Sequence, residues 1–332
     1  DSGDPLLRFL RIKLLPTVLL NVLVATLISG GPWDTALTIL LLIQGACFYF
    51  FGMALNDRLD VERDRENAAN GLQPPRPLVS GEISLKIADR LIALSLFGAL
   101  FTAAGIYLMR GDAAAKGLLF SAGTLGSILL YNCAFKFVPF LGPLCMGLVR
   151  GLLIFSSTTF YLGSIPEWNS LATLHAVTMT IYIFAVTHFS MEEEQSRPAA
   201  LKVRKAGVVF AFTLPFLYTY LFGKGDLSPT VLALYLHGLL FSFLLQVKKT
   251  PPLSPQRTTF LFLSLMTWID FNFLWSWACE HLFTDSPHQV QSGTAATLSM
   301  VGLPLWIILW FLWVIFGLGF RDRTLQSPPQ NS

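Results

Sequence analysis

Long apolar stretches alternate with short polar ones along almost the whole chain. Ten apolar segments can be marked, at about 12–29, 36–55, 87–109, 116–135, 139–163, 172–190, 206–223, 229–247, 258–280 and 297–319. Runs such as LLPTVLLNVLVATLISG and PLWIILWFLWVIFGLGF approach the roughly 20 apolar residues that carry a helix across a bilayer. A transmembrane barrel would alternate polar and apolar positions instead, and no such alternation occurs. Turn-forming stretches, GGPWD, RGDAA, GSIPEWN, GKGDLSP and KKTPPLSP, separate the segments. The pattern predicts an all-α polytopic membrane protein forming one domain over residues 1–323, with a disordered tail over 324–332.

The basic residues orient this array. With the N-terminus in the cytoplasm, 19 of the 23 Lys and Arg fall on the inner side, three (Arg110, Lys116, Lys224) fall outside, and Arg150 lies within a span. Cytoplasmic loops of membrane proteins carry this excess. Removing one span would invert every later loop and destroy the bias, so both termini are expected in the cytoplasm. Composition agrees: 53% of residues are hydrophobic and 13% charged, against roughly 25% charged in a soluble domain. The net charge of +3 reflects basic inner loops, and no basic stretch with interleaved aromatics suggests nucleic acid as a partner. Cys47, Cys133, Cys145 and Cys279 form no CxxC pair and read as small buried hydrophobes. The first segment follows RFLRIK without a small-residue cleavage site, so it reads as a span rather than a signal peptide.

One polar stretch departs from the alternation. The second span runs into ALNDRLDVERDREN, where Asp57, Asp60 and Asp64 stand at i, i+3 and i+7 beside Asn56. On a helix these carboxylates share a face. Arg58, Arg63 and Arg65 point elsewhere around the helix and soften their repulsion without removing it. A hard cation such as Mg2+ would remove it, and Mg2+ commonly joins one or two carboxylates to substrate phosphates. A diphosphate ligand then has a reason to sit there. The bland alternative is a solvated helix end of mixed charge. As a helix-end carboxylate, Asp57 is expected to contribute little to packing.

NDRLDVERD followed by RPLVSGEIS resembles the first aspartate-rich motif and following loop of the UbiA superfamily of intramembrane prenyltransferases. Asn56, Asp57, Asp60 and Asp64 match the motif, and Arg76, Pro77, Ser80 and Gly81 match the loop. YNCAFKFVPFLGPLCMGLVRG and the acidic loop after the sixth span extend the likeness over most of the chain. The resemblance implies a UbiA-like bundle of nine to ten transmembrane helices around a central cavity, with 297–319 as a span beyond the usual nine. It implies Mg2+ and an isoprenyl diphosphate at the cytoplasmic side, with Asp57, Asp60 and Asp64 as metal ligands and Asn56 supporting them. Arg76, Tyr131 and Lys136 would then contact the diphosphate, and Asp57, Asp60 and Lys136 would carry the catalytic work. Lys136 reads equally as an anchor facing anionic lipid.

The family's second acidic motif is altered in VTHFSMEEEQSRPAALKVRKAG. Ser190 and Glu194 occupy the i, i+4 pair where two aspartates are expected, and Glu192 stands as a substitute ligand. Serine is a poor replacement for a carboxylate on Mg2+, so a lost second metal site or a solvated acidic turn stays open. GMALNDRLDVERD, LGPLCMGLVRGLL and VTHFSMEEE look most like the divergent EboC-like branch.

Three further polar positions lie inside spans. Asn21 faces either the cavity or a neighbouring helix, with the second reading preferred. Arg150 and Asp270 lie eleven and twelve residues from the inner starts of their spans, roughly 16–18 Å deep at about 1.5 Å per residue. Ionisable groups at such depth face a partner or a wet cavity, so the two either pair or jointly contact a polar substrate group. The reading is an integral membrane prenyltransferase, with a bacterial inner membrane as the expected location. It would transfer an isoprenyl group to a lipophilic or aromatic acceptor. A terpene cyclase of the same fold, and a non-catalytic or transport-related protein binding a prenylated metabolite, are the alternatives.

Overall fold

The computed structural model describes residues 4–71 and 75–194, and eight helical positions between 266 and 277. By its internal contacts the chain divides into two units, Asp1–Leu227 and Ser228–Ser332. In the first unit a short helix, α1 (Pro5–Phe9), precedes a 3-10 turn and α2 (Leu15–Ile28). There follow α3 (Thr35–Leu59), α4 (Val61–Ala69), α5 (Leu85–Arg110), α6 (Ala115–Leu130), α7 (Leu141–Leu162) and α8 (Leu171–Glu194). All regular structure among the described residues is helical. The stretches Thr35–Leu59, Leu85–Phe135, Leu141–Leu162 and Leu171–His188 are long and apolar enough to cross a membrane, the second comprising both α5 and α6.

The helices start and stop on local chemistry. The Asp34 carboxylate accepts from the Leu37 amide at 3.0 Å to open α3, and Ser84 caps α5 through Ile87. Such side-chain acceptors satisfy amides that a helix start leaves without partners. Gly163, at φ +68°, closes α7 in a left-handed conformation that glycine adopts without steric cost. The first six predicted segments correspond to α2, α3, α5, α6, α7 and α8, with shifts at their ends. The second does not stop at residue 55: α3 continues to Leu59 and carries Asn56 and Asp57 within it. The fourth ends its α-helical part at Leu130, and Tyr131–Phe135 form a π-helical turn. The segments at 206–223, 229–247 and 297–319 and the tail lie outside the described residues, as does most of 258–280.

Packing is dominated by α3 on α5, α6 on α7 and α7 on α8, with α2 laid against α3 and α7. Val18, Val22, Leu41, Phe48, Leu153 and Phe160 stand in the central core. A second cluster, Phe9, Ala54, Val61, Leu78, Ile83 and Ala88, ties α1 and the loop after α4 onto α3. Leu94, Phe97, Phe101 and Leu108 on α5 are exposed, as suits a lipid-facing surface in a membrane protein. α7 and α8 approach closely where Gly147 and Gly151 stand. A Cβ on Gly147 would lie 2.5 Å from the Thr180 carbonyl oxygen. Small residues permit this kind of backbone contact between membrane helices.

Candidate active site

The acidic stretch forms a nearly unbroken helical path. Asp60 sits at the junction of α3 and α4, where its amide donates to the Asn56 carbonyl at 3.1 Å and its own carbonyl accepts from the Asp64 amide at 2.8 Å. Helical hydrogen bonding therefore passes through the junction, and the i, i+3, i+7 spacing keeps its common face. Asp57 and Asp64 are buried, with 4% and 5% exposure.

Three cations from other parts of the chain meet this face. Arg11 Nη2 donates to Asp57 Oδ1 at 2.8 Å. Arg76 Nη1 lies 2.9 Å from Asp57 Oδ1 and 2.9 Å from Asp64 Oδ2, so one nitrogen bridges the two carboxylates. Asn56 Nδ2 adds a third donor to Asp57 Oδ1 at 3.2 Å. Lys136 Nζ donates to Asn56 Oδ1 at 2.7 Å and pairs with Asp60. The repulsion that the sequence suggests a metal must relieve is thus relieved here by side-chain cations. Arg58 pairs with Asp89, Arg65 pairs with Glu62, and Arg63 lies over the Phe137 ring at 4.3 Å. Arg58 and Arg65 thus pair with carboxylates outside the Asp57, Asp60 and Asp64 set, as expected, whereas Arg63 shares the Phe137 ring with Lys136, whose Nζ lies 5.5 Å from its centroid.

Each cation is held in place by its segment. Arg76 stands at the start of a tight turn in which the Val79 and Ser80 amides donate to its carbonyl at 2.8 and 2.9 Å. Buried Leu78 and Ile83 anchor that turn in the second core cluster. Lys136 follows directly on the π turn. Gly142 permits the turn's close return: a Cβ there would stand 2.6 Å from the Phe135 oxygen and 2.9 Å from the Lys136 oxygen. Burial lowers the Lys136 ammonium below the usual lysine range, and pairing with Asp60 only partly opposes this. Burial also acts to lower Arg11, but Asp57 together with Tyr49 and Tyr131 outweighs it and holds that guanidinium above its usual range.

These residues also suit a divalent cation. The point between Asp57 and Asp64 already accommodates a positively charged nitrogen at 2.9 Å from each. Mg2+ takes oxygen ligands at about 2.0–2.1 Å and needs only one or two carboxylates when phosphates complete its shell. A modest closure of two carboxylates around an exchanged cation meets that requirement. Among the described residues no three acidic, histidine or cysteine side chains converge as a ready metal cluster. Asp60 instead stands in its own pair with Lys136.

The profile of the UbiA prenyltransferase family matches residues 14–266, which span the acidic helix, the Arg76 loop and Lys136. The chain belongs to this family. A search of curated proteins by sequence gives no match. Solved structures share the UbiA fold at low identity. An apo UbiA homologue from Aeropyrum pernix K1 is 20% identical, with a TM-score of 0.59 over 80% of this chain and 98% of that one. A UbiA homologue from Archaeoglobus fulgidus, bound to GPP and Mg2+, is 19% identical, with a TM-score of 0.55 over 82% and 99%. A structure from work on digeranylgeranylglyceryl phosphate synthase is 18% identical, with a TM-score of 0.56 over 82% and 97%.

Within this UbiA family member, the remaining candidates fall in different places. Tyr131 opens the π turn and lies within electrostatic reach of Arg11. Arg150, on α7, donates to Asn21 Oδ1 and Thr17 Oγ1 on α2, each at 3.2 Å, so Asn21 does bond a neighbouring helix. Asp270 is buried on a helical stretch of the second unit. Ser190, Glu192 and Glu194 lie in the last turns of α8, and the side chains of Glu192 and Glu194 lie outside the described residues. Arg11 is the site residue that sequence reading missed. Its only local signal is the basic RFLRIK run, which reads as a membrane-facing anchor.

Proposed function

We propose that this protein is an intramembrane prenyltransferase that uses Mg2+ and an isoprenyl diphosphate. The observation that carries this reading is the interlocked set of Asp57, Asp60, Asp64, Arg11, Arg76 and Lys136 where the apolar helix α3 ends. Carboxylates for a metal and cations for a diphosphate are thus available in one place. The relatives bound to GPP or DMAPP with Mg2+ support the same donor class for this chain.

In this reading Asp57 and Asp64 hold Mg2+, and Asp60 supports it once Lys136 turns to the donor. Glu192 and Glu194 are the ligands proposed for a second ion. Arg11, Arg76 and Lys136 bind the diphosphate oxygens, with Asn56 and Tyr131 orienting them. When bound, Mg2+ neutralises charge that builds on the departing diphosphate. The C–O bond of the donor breaks heterolytically, diphosphate keeps the electron pair, and the allylic cation is trapped by electrons of a lipophilic or aromatic acceptor, which then loses a proton. Preorganised cations at the leaving group favour this step, and apolar helices keep water from the carbocation. Arg150 and Asp270 are each, separately, proposed as substrate-binding residues. The EboC-like branch and an inner-membrane location with both termini cytoplasmic belong to the same proposal.

A second reading, a binder of prenylated metabolites without turnover, draws support from Ser190 in the altered second motif. Protein in lipid nanodiscs, incubated with Mg2+ and a panel of isoprenyl diphosphates, separates the two. Mg2+-dependent release of diphosphate, lost in Asp57→Ala, is the expected result. Donor binding without release from any panel member would overturn the catalytic reading in favour of the binder. Release accompanied by a cyclic hydrocarbon would favour the cyclase.

A further inference from the structure

Tyr49 lies eight residues before Asp57 on α3, about 12 Å deeper along the helix. Its ring is buried in the central core and meets Phe50 edge-on at 5.7 Å. Core packing alone would be served by phenylalanine. The hydroxyl adds a contact that phenylalanine lacks, donating to the Arg11 carbonyl at 2.8 Å.

That carbonyl belongs to an unusual residue. Arg11 has φ +46° and ψ +45°, a left-handed conformation uncommon outside glycine, asparagine and aspartate. The turn links α1 to the 3-10 turn before α2. Its amide donates to the Arg8 carbonyl at 3.2 Å, and its carbonyl also accepts from the Leu14 amide at 2.9 Å. The two acceptor positions of one oxygen are therefore taken by the turn itself and by Tyr49. Strained backbone persists where its surroundings over-determine it, and Tyr49 is the contact here that reaches in from another helix. The same turn directs the Arg11 guanidinium to Asp57 at 2.8 Å.

We propose that Tyr49 is a positioning residue of the donor site. Its hydroxyl pins the left-handed turn at Arg11 and so holds the guanidinium against the Asp57 side of the diphosphate position. The proposal rests on the reading in which Arg11 binds the donor diphosphate. In this proposal Tyr49 acts through Arg11 alone, by its hydrogen bond to the Arg11 carbonyl.

Tyr49→Phe tests this with one atom removed. The ring stays, the helix stays, and the Arg11 carbonyl keeps its bond from Leu14, so the thermal unfolding midpoint should stay near that of the wild type. Binding of geranyl diphosphate with Mg2+ is measured in nanodiscs for wild type, Tyr49→Phe, Arg11→Ala and the double variant. Tyr49→Phe should weaken binding about five-fold, the typical worth of one hydrogen bond. Arg11→Ala should weaken it further, and adding Tyr49→Phe to Arg11→Ala should change nothing more, because a residue that acts through Arg11 has no effect once that side chain is gone. Hydrogen exchange without donor or metal should quicken at residues 11–14 in Tyr49→Phe. Equal losses in both backgrounds, or no loss in the single variant, would overturn the proposal. If Arg11→Ala binds as tightly as wild type, Arg11 leaves the donor site and the proposal falls with it. If wild type itself binds no isoprenyl diphosphate, the broader functional reading fails instead.

Discussion

Asp57→Asn removes one charge and almost no volume from the centre of the site. Asp57 is 4% exposed, while its partners Arg11 and Arg76 have side chains 35% and 31% exposed. Breaking a fully buried pair by removing one partner costs about 3–5 kcal/mol, and an exposed pair is worth about 0–1 kcal/mol. With one partner buried and both cations part-screened by solvent, about 2 kcal/mol is expected. For a chain of 332 residues, with an unfolding entropy of roughly 2.1 cal/mol/K per residue, that lowers the unfolding midpoint by about 3 °C. The outcome differs from the small effect expected of a helix-end carboxylate, because Asp57 joins α3 to the turn after α1 and to the Arg76 loop. A second effect appears with ligand. Donor and Mg2+ at 100 times the wild-type dissociation constant should stabilise the wild type by about 2.7 kcal/mol. If the variant binds about 100-fold more weakly, as loss of a metal-site group commonly causes, its gain falls to about 0.4 kcal/mol. Thermal unfolding in nanodiscs, with and without geranyl diphosphate and Mg2+, reads both effects. An apo midpoint equal to wild type would refute the structural part. An undiminished ligand-induced rise would refute the metal role of Asp57.

Further outcomes follow from other features. Because burial lowers the Lys136 pKa from 10.5, its ammonium is lost earlier than an ordinary lysine's as pH rises. Donor affinity should therefore fall on the alkaline side below pH 10.5, and Lys136→Arg should flatten that limb; an unchanged limb in Lys136→Arg would exclude Lys136 as its source. Gly142→Ala should weaken donor binding several-fold by pushing on the Phe135 and Lys136 carbonyls; wild-type affinity would mean that the π turn yields freely. Ser190→Asp restores a carboxylate one helical turn before Glu194 and should tighten Mg2+-dependent donor binding; an unchanged affinity points to a solvated turn. Tags at residues 112, 166, 226 and 288 should be reachable from outside and tags at 70, 200 and 253 only from inside, and one inverted loop would refute the span count.

The parts of this fold that are legible in the sequence are those set by local pattern. Apolar runs of sufficient length announce α3, α5, α6, α7 and α8 because a membrane helix must satisfy its backbone within itself. The shared face of Asp57, Asp60 and Asp64 follows from helical periodicity alone. Arg76, Tyr131 and Lys136 come from the family resemblance, and the structure joins Arg76 and Lys136 to the carboxylates. What stays hidden depends on contacts between distant segments. Arg11 and Asp57 are separated by 46 positions, and nothing in RFLRIK distinguishes an arginine turned inward from one facing lipid headgroups. The π turn at Tyr131–Phe135 is equally invisible, since LLYNCAF is as apolar as the α-helix before it. The cost of breaking Asp57 is underestimated from sequence for the same reason: its partners come from elsewhere in the chain.

The cations that rest on the carboxylates have a bearing on how the protein is made. A site of three bare aspartates would insert into the bilayer carrying a local excess of negative charge, and its folding would depend on the supply of metal. Here Arg11, Arg76 and Lys136 accompany the aspartates covalently, so charge balance arrives with the polypeptide itself. A tethered group competes at an effective concentration in the millimolar range. Under the proposed function, free Mg2+ alone would have to displace such tethered rivals, whereas a diphosphate would offer those same cations a new partner as the metal enters. Folding of this site would then not depend on metal supply, and under the proposed function loading would await the arrival of a diphosphate.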